Sequence, residues 1–174
     1  MSISIRRITA TDLESHVPSL TLVFRETVNG GSPLGFMPPI TDEQSRAYWL
    51  SLVPELRAGT RLLMVAFSGD ELVGSGQLAL SQRANSPHRA ELEKLFVAAA
   101  VRGRGVGKLL MAALHHIALD HGRSLILLNT RHREPPERFY KELGYREVGV
   151  IPGWTIGPDG ERYDHITLYQ ELSR

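Results

Sequence analysis

Arg102-Gly103-Arg104-Gly105-Val106-Gly107-Lys108 sets three glycines and three cations within seven residues. A strand-like run ends just ahead of it and a helical pattern starts inside it, so the turn opens a helix. The first N–H groups of a helix lack internal partners and lie at the positive end of its dipole, which makes such a turn an anion site. Gly103, Gly105 and Gly107 permit positive φ and close backbone approach, Arg102, Arg104 and Lys108 add local positive charge, and Val106 completes the cradle through its backbone. The chemistry favoured by this spacing is the grip of a phosphate or diphosphate. An ordinary tight βα turn with solvated cations is the competing reading, because glycine turns alone are weak evidence. A Walker A loop does not fit, since Arg102 stands where its first glycine belongs and Leu109 where its hydroxyl belongs. The dinucleotide fingerprint fails as well: the spacing is Gly-x-Gly-x-Gly, and earlier strands precede the turn.

Other chemistries are excluded by composition. The 174 residues contain no cysteine, which removes disulfides, thiolate metal sites and a catalytic thiol. Seven histidines invite a metal, yet His115 and His116 are neighbours pointing apart on a helix, and His121 and His132 have no ligand spacing. No metal is expected. Asp164-His165 has no Gly-x-Ser-x-Gly elbow to serve, so a serine hydrolase is set aside. Twenty Lys and Arg against 19 Asp and Glu leave a formal charge of +1, too balanced to imply a nucleic-acid partner. No stretch approaches the ~20 apolar residues of a membrane span, and the N-terminus lacks a signal-peptide core. A cytoplasmic protein without a membrane partner is expected.

The elements that must position the turn follow from periodicity. Ser2 to Thr9 alternates as a half-buried strand, and Asp12 to Val28 reads as a helix ended by Asn29-Gly30-Gly31-Ser32-Pro33. An apolar loop runs through Gly35-Phe36-Met37-Pro38-Pro39. Thr41 with Gln44 predicts a capping box opening a second helix to about Arg57. Arg61–Phe67 and Leu72–Leu80 form a predicted hairpin, Ala90–Val97 a further strand, and a helix runs from the glycine turn to about His121. Ser124–Leu128 reads as a strand, Pro135–Leu143 as a helix stopped by Gly144, and the rest as two strands around Gly157-Pro158-Asp159-Gly160. The order βααβββαβαββ predicts one domain over residues 1–174, of α/β (α+β) class, with a mixed sheet covered by helices.

The strand, the Arg102-x-x-Gly105-x-Gly107 turn and its helix resemble the GNAT superfamily of acyl-CoA-dependent N-acetyltransferases. Arg138-Phe139-Tyr140-Lys141-Glu142-Leu143-Gly144-Tyr145 is similar to that family's second motif. Within the family the chain resembles the tabtoxin-resistance type, in Glu26 to Gly31, Gly35 to Met37, Arg89-Ala90-Glu91, Lys94-Leu95 and Pro158-Asp159-Gly160. It carries Asn129 where that type has an acid, and Trp154 after Pro152-Gly153. The resemblance implies a mostly antiparallel sheet of about seven strands with helices on both faces, splayed between the fourth and fifth strands. Acetyl-CoA would lie in the gap, its pantetheine arm on the backbone of Leu95, Phe96 and Val97 and near Asn129, its diphosphate on residues 102–108. Tyr140 is then the expected acid at the sulfur.

Acetyl transfer to an amine also needs a base, because amines titrate at about 8 to 10. Glu91 and Glu93 alternate onto one face of the strand leading to the turn, and the resemblance favours Glu91; solvated strand-end charges are the competing reading. For a small amine acceptor, Phe36, Met37, Trp49 and Trp154 are candidate walls, and Glu26 a candidate partner for an ammonium group. Each of these apolar residues fits a core equally well. Two other functions stay open: a non-catalytic acyl-CoA sensor, and transfer to a protein N-terminus or lysine. A homodimer is the default assembly.

Overall fold

Caps and prolines decide where the chain changes direction. The computed structural model, which describes residues 2–32 and 34–173, runs β1 (Ile3–Ile8), α1 (Leu13–Asn29), α2 (Asp42–Ser51), α3 (Val53–Ala58), β2 (Arg61–Ser68), β3 (Glu71–Leu80), β4 (Arg89–Val97), α4 (Val106–Asp120), β5 (Leu125–Arg131), α5 (Pro135–Glu142), β6 (Arg146–Ile156) and β7 (Arg162–Glu171). The capping box forms: Gln44 N donates to Thr41 Oγ1 at 3.2 Å and Thr41 N donates to Gln44 Oε1 at 2.9 Å. The single helix expected from Thr41 to about Arg57 is two. Leu52 ends α2 and caps α3, whose first turn holds Pro54, a position where the missing N–H is no loss. β5 runs past Leu128 to Arg131 because β7 pairs with it along that whole length.

The seven strands form one sheet in the order β1-β2-β3-β4-β5-β7-β6. Every neighbouring pair is antiparallel except β4 with β5, so the expected mixed, mostly antiparallel sheet is present. That parallel pair holds only at Arg89–Leu125, Ala90–Ile126 and Glu91–Leu127. At its start His88 O accepts from Ser124 N at 2.8 Å and Leu125 N at 3.0 Å. Beyond Glu91 and Leu127 the strands part, which is the expected splay.

Each face of the sheet has its own core. On one side Leu110 and Leu114 of α4 and Tyr140 of α5 pack on Leu62, Leu78, Leu92, Ile126 and Leu168. On the other, Phe24 of α1 and Trp49 of α2 pack on Leu63, Val65 and Phe96. Each such side chain contributes about 1.5–3 kcal/mol by leaving water. Leu92 and Phe96 are four residues apart, yet they enter opposite cores. The cause is a bulge: Gln77 pairs with Glu93 but Ser75 with Phe96, so β4 carries one extra residue, and Lys94 takes a φ of +49°. Glu91, Glu93, Lys94 and Phe96 therefore face the α1–α2 side, and Leu95 and Val97 the α4 side. Among the described residues no helix is long and apolar enough to cross a membrane.

β3 must approach the bulged strand closely. A Cβ on Gly74 would lie 2.8 Å from Phe96 O, a backbone atom, whereas one on Gly76 would meet the ends of the Leu114 and Leu95 side chains at 2.7 and 2.9 Å. Gly74→Ala is expected to destabilise by about 1–3 kcal/mol, and Gly76→Ala by less, because leucine methyls can move aside. Denaturant unfolding checks the ranking; an equal or reversed order would show that β4 yields as easily as a side chain.

Candidate active site

α4 begins at Gly105, an N-cap with φ +80° and no side-chain cap, and Gly103 ahead of it has φ +75°. A Cβ on either would meet nothing within 4 Å, so backbone conformation and not space requires glycine at both. Gly107 differs from the expectation of positive φ at all three. It is helical, and a Cβ there would lie 3.3 Å from Cζ of Phe139, so its bareness lets α5 close on α4. With no side chain capping the helix, its first N–H groups point outward without intrahelical acceptors. Arg104 and Lys108 are exposed beside them and make no hydrogen bond or ion pair with any described residue. Arg102 turns back, its Nε donating to Val97 O at 3.0 Å, and so ties the turn to the end of β4.

The turn therefore stands at the open end of the seam between β4 and β5. Ala98 N donates to Val73 O at 2.7 Å, which fixes this end of β4 to β3 while its other edge is free of β5. On the α4 side of the seam lies Tyr140, 8% exposed, against the rings of Phe139 and Tyr145 at centroid distances of 5.2 and 5.7 Å. Its hydroxyl has no hydrogen-bond partner among the described residues. Burial pushes its pKa well above the usual phenol range, so it carries its proton at neutral pH.

On the opposite side the two glutamates differ. Glu91, at the last paired position, is exposed and has no partner among the described residues. Glu93 is held: Arg61 Nη1 donates to its Oε2 at 2.8 Å, and Arg61 Nε donates to Glu55 Oε2 at 2.7 Å. Burial opposes the charge on Arg61, but the two carboxylates outweigh it and keep the guanidinium protonated.

The aromatic residues are sorted by depth. Phe36 is half-buried, edge-on to Phe24 and Tyr48, and Met37 is exposed. Trp49 is fully buried among Phe24, Tyr48 and Phe96, which removes it from any wall open to solvent; its neighbour Tyr48 takes that place. Trp154 is exposed and stacks on His165 at 6.2 Å. His165 also shares a hydrogen bond through Nδ1 with Asn129 Oδ1 at 3.2 Å and one through Nε2 with Thr155 Oγ1 at 3.1 Å. Burial first, and then the Arg131 charge, lower its pKa. Glu26 is exposed on the last turns of α1, without a hydrogen-bonding side-chain partner among the described residues. Sequence reasoning missed Tyr48, Gln77 and Arg61, which meet only through contacts distant in sequence, and Lys94, since nothing in a single strand announces a bulge.

With this geometry the chain matches the Acetyltransferase (GNAT) family over residues 31–145, and it belongs to that family. It is 36% identical over 80 residues to the provisional phosphinothricin acetyltransferase YwnH of Bacillus subtilis (strain 168), a match covering 45% of this chain and 48% of that protein. The chain spans about half the length of the curated relatives it matches. The crystal structure of a provisional phosphinothricin N-acetyltransferase superposes with a TM-score of 0.74 at 26% identity, over 99% of this chain and 100% of that one. The fold is shared with yncA, a provisional acetyltransferase of Salmonella typhimurium solved with its cofactor acetyl-CoA. That superposition has a TM-score of 0.79 at 14% identity, over 100% of this chain and 96% of that one.

Glu93→Gln leaves the Arg61 guanidinium, whose side chain is 10% exposed, with one carboxylate in place of two. A stability loss of about 1–3 kcal/mol is expected, measured by denaturant unfolding. A variant as stable as the parent would show that the pair is solvated and carries no structural load.

Proposed function

We propose that the chain is an acetyl-CoA-dependent N-acetyltransferase that acetylates the primary amine of a small, amino-acid-like molecule. The observation that carries this reading is the coincidence of an uncapped, cation-flanked helix start with a seam that parts after three residue pairs. The residues present fit the coenzyme. Open space over Gly103 and Gly105, outward N–H groups and the free charges of Arg104 and Lys108 suit a diphosphate. The unpaired backbone edge from Leu95 to Val97 suits an amide-bearing arm, with Asn129 across the seam. When bound, acetyl-CoA supplies an acetyl group activated as a thioester.

The side chains then divide the proton work. Glu91, unpaired and on the α1–α2 side, takes the proton that the acceptor nitrogen loses as its bond to the acetyl carbon forms. Tyr140, on the α4 side, holds a proton at its hydroxyl and gives it to the departing sulfur as the carbon–sulfur bond breaks. Its raised pKa keeps that proton in place until a stronger base than water appears. Glu93 serves structure in this scheme, because its charge is already spent on Arg61. Phe36, Met37, Tyr48 and Trp154 wall the acceptor side.

Thiol release from acetyl-CoA with a panel of amines and amino acids tests the reading. Tyr140→Phe is expected to lower kcat by about 100-fold or more while coenzyme A binding by calorimetry is kept. Gly105→Val, which forces a β-branched residue to φ +80°, is expected to weaken coenzyme A at least about tenfold. Coenzyme binding without turnover of any amine would make the protein a sensor; unchanged turnover in the Phe variant would remove Tyr140 from the chemistry.

A further inference from the structure

Lys94 is the bulge residue of β4, and its φ of +49° is one that non-glycine residues rarely adopt. That conformation sends its side chain under the loop of Gly35 and Phe36. Its Nζ lies 5.7 Å from the centroid of Phe36 and 5.8 Å from that of Tyr48. A Cβ on Gly35 would come within 3.1 Å of the same Nζ. The ammonium makes no hydrogen bond or ion pair with any described residue, and burial lowers its pKa. Glu93, the carboxylate whose charge acts on Lys94, is already held by Arg61 at 2.8 Å.

A second orphaned donor lies on the same face. Gln77 is fully buried, and its Oε1 accepts from Tyr48 Oη and from Arg61 Nη1, each at 3.0 Å. Two donors on one oxygen fix the amide's orientation, so Nε2 must be its other end, and Nε2 has no partner. Gln77 sits opposite Glu93 in the ladder, one position before the bulge, beside the ring on which Lys94 rests. A buried donor without an acceptor costs free energy, and a cation over two rings keeps its attraction for an anion. Both features call for an acceptor-rich ligand.

We infer that Lys94, supported by Gln77, is the residue that reads an oxyanion on the acceptor. The molecule acetylated is then an amino acid or close analogue, carrying one carboxylate or phosphinate at a set distance from its amine. This deepens the proposed function and rests on it, because it takes the α1–α2 side as the acceptor side. A simple alkylamine lacks the group that Lys94 pairs with and is a poor substrate.

The test pairs each amino acid of a panel, and phosphinothricin, with its α-carboxamide as acceptors for the full chain. Acids are expected to exceed their carboxamides in kcat/KM. Lys94→Met should raise KM for the acids about 10- to 100-fold and erase the preference, leaving KM for acetyl-CoA unmoved, while Lys94→Arg restores part of it. A preference for phosphinothricin with either of its acids blocked singly tells phosphinate from carboxylate. A readout independent of turnover comes from 13Cε-labelled lysine, as the sequence has only three lysines, Lys94, Lys108 and Lys141. The Lys94 signal should shift saturably with the acids and not with the carboxamides. Shifts without turnover would keep the subsite and defeat the enzyme reading. Turnover with no Lys94 shift, or with equal use of acids and carboxamides, would overturn the subsite and leave the enzyme.

Discussion

Three residue pairs, Arg89–Leu125, Ala90–Ile126 and Glu91–Leu127, are all that join β4 to β5. The constraint behind everything else is that backbone N–H and C=O groups must be paired or meet water or a ligand. Where this ladder stops, each strand keeps a partner on its outer side, β3 for β4 and β7 for β5, and loses one on its inner side. The result is a cleft whose walls are main chain and whose shape is set by ladders that do not themselves enter it. Such an opening is rigid for the reason that sheets are rigid, which a loop-built cleft of the same size would not be.

The two cores explain why the cleft stays open. Leu110 and Leu114 press on one face of the sheet and Phe24 and Trp49 on the other, and both sets are fully buried. Neither core bridges the seam on the α1–α2 side beyond Glu91, so nothing apolar draws the parted edges together there. The arrangement also separates charge from phenol. Tyr140 is on the α4 face with its proton held by burial, and the carboxylates are on the other, where Arg61 takes one and leaves the other free. A single-sided site would bring these groups close enough to perturb each other.

Much of this was readable in the residues. The capping box at Thr41 and Gln44, the hairpin at Ser68 to Glu71, the stop at Gly144 and the helix start after Gly105 are local, and local signals survive folding. The split of the second helix was also written locally, at Pro54, but a helical pattern on either side hid it. The site is legible in proportion to its backbone content: the glycine turn has a spacing, whereas the pairing of Glu93 with Arg61, 32 residues apart, has none. Trp49 illustrates the other limit, because a tryptophan facing a ligand and one facing a core have the same neighbours in sequence. Gly107 stands between these cases, its place in the motif visible and its contact with Phe139 not.

The bulge at Lys94 exchanges the facing of side chains partway along one strand. Straightening the bulge with every residue kept would send Phe96 toward α4 and Leu95 and Val97 toward the aromatic loop. The linings of both sides would be swapped at one stroke. The left-handed backbone of Lys94 thus decides which lining each later position of β4 joins. Loss of Lys94 itself would leave those facings as they are, whereas a further residue that the bulge could not absorb would reverse them.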